Sequence, residues 1–326
     1  MPIVEVHHLV KKYDGFTALE GISFHLEEGE IFGLLGPNGA GKTTTIHVLV
    51  GLAHITSGSV TVAGFPYPEG LKQAQGLIGI VPDESNLYED LDGFENLCFC
   101  ASLYGISKKK RESRARELLE QFNLTEAGRR PFKAYSKGMK RKLTIAAGII
   151  HEPKILFLDE PTTGIDVAAA RQIRSLIQVL HRRGLTILLT THYIEEAERL
   201  CRRIAFLVKG NIVRTGTTEE LMQEAQQEHM VQLTLSAADP DLSQKISQAF
   251  PHIRAEAVND RTIHCYSGQP VNMTPLVVFL DQLGLSVFEA KIIRPSLEDV
   301  FVKITGIERN QMTQEKGPGG KGGGKG

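Results

Sequence analysis

The residues best equipped for chemistry lie in one run, Gly36-Pro37-Asn38-Gly39-Ala40-Gly41-Lys42-Thr43-Thr44. Its three glycines free the backbone to turn with positive φ and to approach a ligand closely. Successive N–H groups of such a turn point inward and form a concave anion site. Lys42 brings a point charge for the β- and γ-phosphates of a nucleoside triphosphate, and the Thr43 hydroxyl is placed to hold Mg²⁺. A second pair is Asp159-Glu160, which ends the apolar run Ile155-Leu156-Phe157-Leu158. Carboxylates at the C-terminal end of such a strand sit where open α/β sheets bind ligands. Asp159 can reach Mg²⁺ directly or through water, and Glu160 can accept a proton from an attacking water or polarise it. His192 follows Thr186-Ile187-Leu188-Leu189-Thr190-Thr191, a second apolar strand. A lone histidine is usually satisfied locally, but beside the Asp159 strand this one could contact a γ-phosphate.

These groups need elements to hold them. Ile31-Phe32-Gly33-Leu34-Leu35 reads as a buried strand leading into the glycine-rich run, and Thr45 to Leu52 as the helix after it. That order makes a phosphate-binding loop, with the helix adding N–H groups and the positive end of its dipole. Wholly apolar strands fit a parallel sheet covered on both faces. Ile3–Val6 and Ile22–Leu26 read as short strands, with Tyr13-Asp14-Gly15-Phe16 as a turn between them. The Tyr13 ring could stack on a nucleobase; a tyrosine packed under a loop is the simpler account of it in isolation. Leu77 to Val81 reads as a strand ending at Pro82-Asp83-Glu84. Helical periodicity follows over Phe94–Tyr104 and Lys108–Phe122. The basic cluster Lys108-Lys109-Lys110-Arg111 is balanced by glutamates and reads as a solvated face, not a nucleic-acid surface. Ser136 is a good N-cap for a helix to about Ile150. Asp166 lies in a turn before a helix over Ala168–His181, and Ile204–Val208 with Ile212-Val213 forms a hairpin. Thr217-Thr218-Glu219-Glu220 opens a further helix.

The chain has 326 residues, which suggests two domains. A hydrophobic content of 41% suits a normal core, and a net charge of −1 offers no general attraction to nucleic acid. No apolar run approaches the roughly 20 residues of a membrane helix, and the N-terminus does not read as a signal peptide. Cys98, Cys100, Cys201 and Cys265 lack zinc spacing. Buried reduced thiols, and hence the cytosol, are the expectation.

Taken together, the motifs over residues 1–225 resemble the ATP-binding subunit of an ABC transporter. Walker A is Gly36 to Thr44, and Walker B is Ile155 to Asp159, with Glu160 at the catalytic-glutamate position. The family signature, ideally Leu-Ser-Gly-Gly-Gln, stands as Tyr135-Ser136-Lys137-Gly138-Met139. Asp166 matches the D-loop aspartate, His192 the switch histidine and Tyr13 the A-loop aromatic. The resemblance implies a P-loop NTPase domain of α/β class with a helical subdomain at about 84–150. It implies ATP and Mg²⁺ as cofactors, with Thr43, Asp159 and Asp83 on the metal. It also implies a homodimer in which Lys42, Glu160 and His192 of one subunit meet Ser136 and Gly138 of the other. A separate integral-membrane permease follows, with this chain peripheral on the cytoplasmic side. Two departures stand out. Asp83 replaces the Q-loop glutamine, and Lys137 and Met139 alter the signature. A soluble ABC ATPase of ribosome or DNA shares the motifs but usually carries coiled-coil or zinc insertions or a second cassette, none visible here. A regulator that binds ATP and hydrolyses it weakly is the other alternative.

Residues 226–306 resemble the extra domain of drug- and polysaccharide-export ATPases of the daunorubicin-resistance kind. The residues themselves read as strand Val231–Leu235, helix Leu242–Phe250, strands Ile253–Val258 and Thr262–Tyr266, helix Val271–Leu283 and strand Ser286–Ile292. That βαββαβ order predicts a small α+β, ferredoxin-like domain for dimerisation or regulation. Ser296 caps a last helix, with Glu298 and Asp299 in its first turn. The end of the chain, 307–326, closes in Gly, Pro and Lys and reads as a disordered tail.

Overall fold

The computed structural model describes residues 2–225, 229–293, 296–307 and Met312. Its described residues divide into two compact units, one with those up to Thr218 together with 304–307 and Met312, the other with those of Glu219–Lys303. The division therefore falls before the helix that closes the ATPase-like motifs, not after it as the sequence suggests.

In chain order the first unit holds β1 (Pro2–Tyr13), β2 (Phe16–Glu27), β3 (Ile31–Leu35), α1 (Lys42–Leu49), β4 (Ser57–Val62), β5 (Phe65–Pro66), α2 (Leu71–Gln75) and β6 (Ile78–Val81). Next come α3 (Gly93–Leu103), α4 (Lys108–Gln121), a single 3₁₀ turn at Phe132–Ala134 and α5 (Lys137–Gly148). The unit continues with β7 (Ile155–Asp159), α6 (Val167–Arg182), β8 (Thr186–Thr191), α7 (Ile194–Leu200), β9 (Arg203–Val208) and β10 (Asn211–Thr217). Two sheets result. One is antiparallel, in the order β2-β1-β4-β5. The other runs β10-β9-β3-β8-β7-β6 and is parallel except for its β9–β10 hairpin.

Every residue of β3, β7 and β8 is buried, as their unbroken apolar runs require. Phe32, Leu34, Phe157 and Leu188 pack with Leu26, Phe24 and Ile46 in one core, and the Phe24 and Phe32 rings stack with centroids 5.6 Å apart. Parallel pairing then brings the C-terminal ends of β3, β7 and β8 side by side, with Leu35 opposite Thr191 and Asp159 opposite Thr190.

The β1–β2 hairpin is longer than the sequence suggests, twelve residues in each strand. Register shifts at Val6/Leu9, Leu9/Val10 and Lys11/Lys12 break the two-residue alternation that marks a strand. Helices α2 and α7, of five and seven residues, are too short for periodicity to reveal. The helical subdomain is α3 to α5. Asp92 and Glu95 form a capping box on α3, and the buried Asn96 amide donates to the carbonyls of Tyr88, Leu91 and Asp92. All four cysteines are free thiols, and burial pushes each of them up from the ordinary thiol range.

Helix α8 (Thr218–Ala225) follows β10, and then β11 (His229–Leu235), α9 (Leu242–Ala249), β12 (Arg254–Asn259), β13 (Thr262–Ser267), α10 (Met273–Gln282), β14 (Val287–Ile293) and α11 (Leu297–Thr305). The second unit's sheet is antiparallel throughout, in the order β12-β13-β11-β14, the ferredoxin-like arrangement. Alternate residues Val231, Leu233 and Leu235 point into a core with Ile246, Leu276 and Leu280. Ser296 caps α11 as its sequence predicts, its Oγ accepting the Asp299 N–H at 3.2 Å.

Of the stretch 307–326, only Ile307 and Met312 are among the described residues; the rest of the predicted tail lies outside them. Met312 is buried, and its carbonyl accepts the Asn38 N–H at 3.2 Å. No helix among the described residues is long and apolar enough to cross a membrane.

Candidate active site

The glycine-rich loop leaves β3 at Gly36, whose N–H donates to the Thr191 carbonyl at 3.2 Å. A Cβ on Gly36 would lie 2.0 Å from the Leu207 carbonyl oxygen, so only glycine lets the loop pass β9. Gly41 turns with φ 110°, and a Cβ there would meet the Ala18 carbonyl at 2.8 Å. The loop is tied internally by the Ala40 N–H on the Pro37 carbonyl, 3.1 Å, and the Ala40 carbonyl accepts the Gly210 N–H at 2.9 Å. Helix α1 then starts with Gly41 at its N-cap, no side-chain cap and no acid in its first turn. Its first N–H groups thus face a site that suits an anion. Gly39 lies exposed in the loop, Thr43 is exposed and Thr44 half-buried in the first turn of α1.

Lys42 is buried, and its Nζ donates to the carbonyls of Gly36 at 2.7 Å and Pro37 at 3.1 Å. The same ammonium lies 3.0 Å from Oε1 of Glu160. On the other carboxylate oxygen, Glu160 Oε2 accepts from His192 Nδ1 at 2.8 Å and from the Thr163 hydroxyl at 3.0 Å. The three buried side chains Lys42, Glu160 and His192 thus form one chain of contacts across the ends of α1, β7 and β8. Burial pushes the Glu160 carboxyl up, but the His192 hydrogen bond and the Lys42 charge outweigh it and hold it at about 2. Glu160 also has φ 48°, a left-handed conformation rare in a residue with a Cβ. Such backbone costs about 1–3 kcal/mol and persists where surrounding contacts enforce it. Here the Glu160 N–H is held by the Thr190 carbonyl at 3.1 Å and hydroxyl at 3.2 Å.

Asp159 is buried beside it, with Oδ1 accepting the Thr190 hydroxyl at 2.5 Å. Asp83 follows β6, which pairs in parallel with β7 and places Val81 opposite Leu158. Its carboxyl is raised by burial, opposed by Arg141 and pushed further up by Asp159 and Glu160. Among the described residues no cluster of three or more His, Cys, Asp or Glu could hold a metal alone. The oxygen donors of Asp159, Asp83 and Thr43 are of the class that Mg²⁺ takes alongside substrate phosphates.

Four predicted residues stand apart. Ser136 caps α5, its Oγ accepting the Met139 N–H at 3.3 Å, and Asp166 caps α6, accepting the Ala169 N–H at 2.8 Å. Gly138 is buried against α6, where a Cβ would come within 2.7 Å of the Ala169 Cβ. Tyr13 is exposed at the end of β1 with Lys11 Nζ 4.5 Å from its ring centre. Among the described residues no hydrogen bond or ion pair joins these four to the Lys42–Glu160–His192 cluster.

Sequence reasoning missed Thr190, Thr163 and Arg141. It missed also the buried pair of the Thr162 hydroxyl donating to Glu196 Oε1 at 2.7 Å, where burial pushes the Glu196 carboxyl up. A signal for Thr190 existed: two threonines end a wholly buried strand whose middle is apolar.

Against this geometry, residues 19–163 match the ABC transporter family model. The linearmycin resistance ATP-binding protein of Bacillus subtilis (strain 168) is 36% identical over 314 residues, 93% of this chain and 98% of its own length. A Nod factor export ATP-binding protein of Burkholderia pseudomallei (strain K96243) is 36% identical over 307 residues, 94% of this chain and 97% of its own. Among solved structures, an ATP-binding subunit of an ABC transporter aligns with TM-score 0.62 and 32% identity, covering 68% of this chain and 92% of that one. A dimeric ATP-binding cassette in a post-hydrolysis state with ADP and phosphate aligns with TM-score 0.61 and 25% identity, covering 66% and 98%. Similarity sustained over nearly the whole length, together with a lysine, a strand-end carboxylate pair and a histidine drawn into one site, places the chain among the ATP-binding subunits of the ABC transporter family, whose members hydrolyse ATP.

Proposed function

We propose that the chain hydrolyses Mg²⁺-bound ATP to power an exporter, working as a head-to-tail homodimer on a separate integral-membrane permease at the cytoplasmic face of the membrane. The observation that carries the catalytic part is Glu160, held between Lys42 and His192 at the strand ends beside the uncapped start of α1. Lys42 and the N–H groups of the loop and of α1 bind the β- and γ-phosphates. Asp159, Thr43 and Asp83 would hold Mg²⁺, which would supply neutralisation of the phosphate charge. Glu160 is ionised at neutral pH and orients the attacking water or takes its proton. Lys42 has two sets of partners, its own loop's carbonyls and Glu160, and phosphate oxygens compete for the same ammonium. His192 fixes the Glu160 side chain and can itself turn to the γ-phosphate. Ser136 and Gly138 of the second subunit close the site, Tyr13 stacks on the base, and Asp166 lies at the subunit boundary. Two such sites about a two-fold axis make an isologous interface, in which ATP bridges the subunits and hydrolysis releases them.

The exporter part is supported by the names of the relatives, which are matched over nearly their full length and are named for linearmycin resistance and Nod factor export. It is tested by purifying the tagged chain from its native cell in mild detergent and identifying what accompanies it. A stoichiometric polytopic membrane protein is expected. Ribosomes, nucleic acid or no partner would overturn the transport assignment while leaving the ATPase chemistry to its own tests.

A further inference from the structure

Arg141 belongs to α5, the helix that Ser136 caps, and it is buried at 7% exposure. Its guanidinium is spent wholly on the loop after β6. One terminal nitrogen donates to the Pro82 carbonyl at 2.6 Å, the other to the Asp83 carbonyl at 2.5 Å, and that second nitrogen lies 3.5 Å from Asp83 Oδ1. A planar guanidinium can hold several acceptors in one fixed geometry, which a lysine ammonium cannot. Two backbone anchors therefore fix the path of residues 82–83, and the ion pair at 3.5 Å draws the half-exposed Asp83 carboxylate towards Arg141. The parallel register of β6 on β7 brings the loop that carries Asp83 to the same sheet end as Asp159 and Glu160, and the charges of both push the Asp83 carboxyl up. Arg141 is the buried cation on the α5 side of this group of acids, as Lys42 is on the α1 side.

We propose that Arg141 is a positioning residue for the metal: it holds the loop that presents the Asp83 carboxylate, which would be a ligand of nucleotide-bound Mg²⁺, and ties that loop to the helix whose start carries Ser136. The inference rests on the proposed role of Asp83 beside a metal–nucleotide complex. It separates from a purely structural role for Arg141, in which the residue braces the loop with no bearing on metal.

The test measures Mn²⁺ binding by electron paramagnetic resonance on the full chain in the presence of a non-hydrolysable ATP analogue, with analogue affinity measured separately in EDTA. Loss of a residue that orients a metal ligand typically weakens metal binding 10–100-fold. Arg141→Met should therefore weaken Mn²⁺ by about 10–100-fold and leave metal-free analogue binding unchanged. Asp83→Asn should weaken Mn²⁺ similarly, and the double variant should be no worse than Asp83→Asn alone. Unchanged Mn²⁺ affinity in Arg141→Met, or equal further loss in the Asp83→Asn background, would overturn the proposal. If Arg141→Met loses its cooperative melting, Arg141→Lys carries the test, with weakened Mn²⁺ expected and wild-type affinity overturning the idea. A wild-type chain that binds neither analogue nor Mn²⁺ would overturn the functional reading itself, a result distinct from failure in the variants alone.

Discussion

His192 Nδ1 lies 2.8 Å from Glu160 Oε2, just past the ends of the neighbouring strands β8 and β7. With Lys42 Nζ 3.0 Å from the other oxygen, the carboxylate has a buried cationic or hydrogen-bonding partner on each side. A group so held keeps one orientation, as the proposed role of orienting water requires. Glu160→Gln keeps the shape and removes the charge. Its turnover should fall about 10²- to 10⁴-fold, the usual contribution of a general base, with ATP binding retained. Steady-state hydrolysis beside equilibrium nucleotide binding measures both, and wild-type turnover would remove Glu160 from the chemistry.

Lys42 should behave in the opposite way. Lys42→Ala removes the one buried ammonium that reaches both the loop carbonyls and Glu160. Nucleotide affinity should drop steeply, and hydrolysis with it. An unchanged affinity, measured by titrating a fluorescent ATP analogue, would show that the loop holds phosphates without the lysine.

The same network predicts a pH dependence of stability. The Glu160 carboxyl is lowered from its ordinary 4.5 to about 2, the His192 hydrogen bond and Lys42 charge outweighing the upward push of burial. A carboxyl depressed on folding stabilises the folded state above its unfolded pKa, and that contribution fades as pH falls through the folded value. At about 1.4 kcal/mol per unit, the contribution is on the order of a few kcal/mol. Melting temperatures of wild type and Glu160→Gln should differ most above pH 5 and converge between about pH 4.5 and 2. A constant difference across that window would contradict the assignment.

Gly138 is a packing residue in this chain whatever else it does. A Cβ there would lie 2.7 Å from that of Ala169, both on helices with no slack between them. Gly138→Ala should destabilise by about 1–3 kcal/mol, the usual cost of overpacking. Ala169→Gly in the same chain should restore much of the loss, since it removes the clashing methyl. Urea denaturation of the four species measures the coupling, and simple additivity would refute the contact.

Asp166 caps α6 through the Ala169 N–H at 2.8 Å. Asp166→Ala should cost about 1 kcal/mol and Asp166→Asn much less, because asparagine caps as well as aspartate. The urea midpoint reads this directly. A role at the subunit boundary would appear separately, as lost ATPase activity in Asp166→Asn at full stability.

The sequence by itself determined the phosphate-loop motif and the strands that flank it, because such a motif demands fixed residue types at fixed spacing. Gly36, Gly41 and Lys42 can serve a phosphate loop only in that order, and the apolar runs of β3, β7 and β8 can lie only in a doubly covered parallel sheet. The βαββαβ order of the second unit was legible for the same reason, since its strands and helices are long enough to show their periods. Other features were decided by contacts between residues distant in sequence, for which no local pattern exists. The β1–β2 hairpin extends through bulges that erase alternation, and α7 is too short to announce itself. Thr190 reaches Asp159 across 31 positions, and Arg141 reaches Asp83 across 58. Each reads in one dimension as a strand-end polar residue or one more charge on a helix. Only the parallel register of β6, β7 and β8, and the packing of α5 beside β6, turn them into partners of the site.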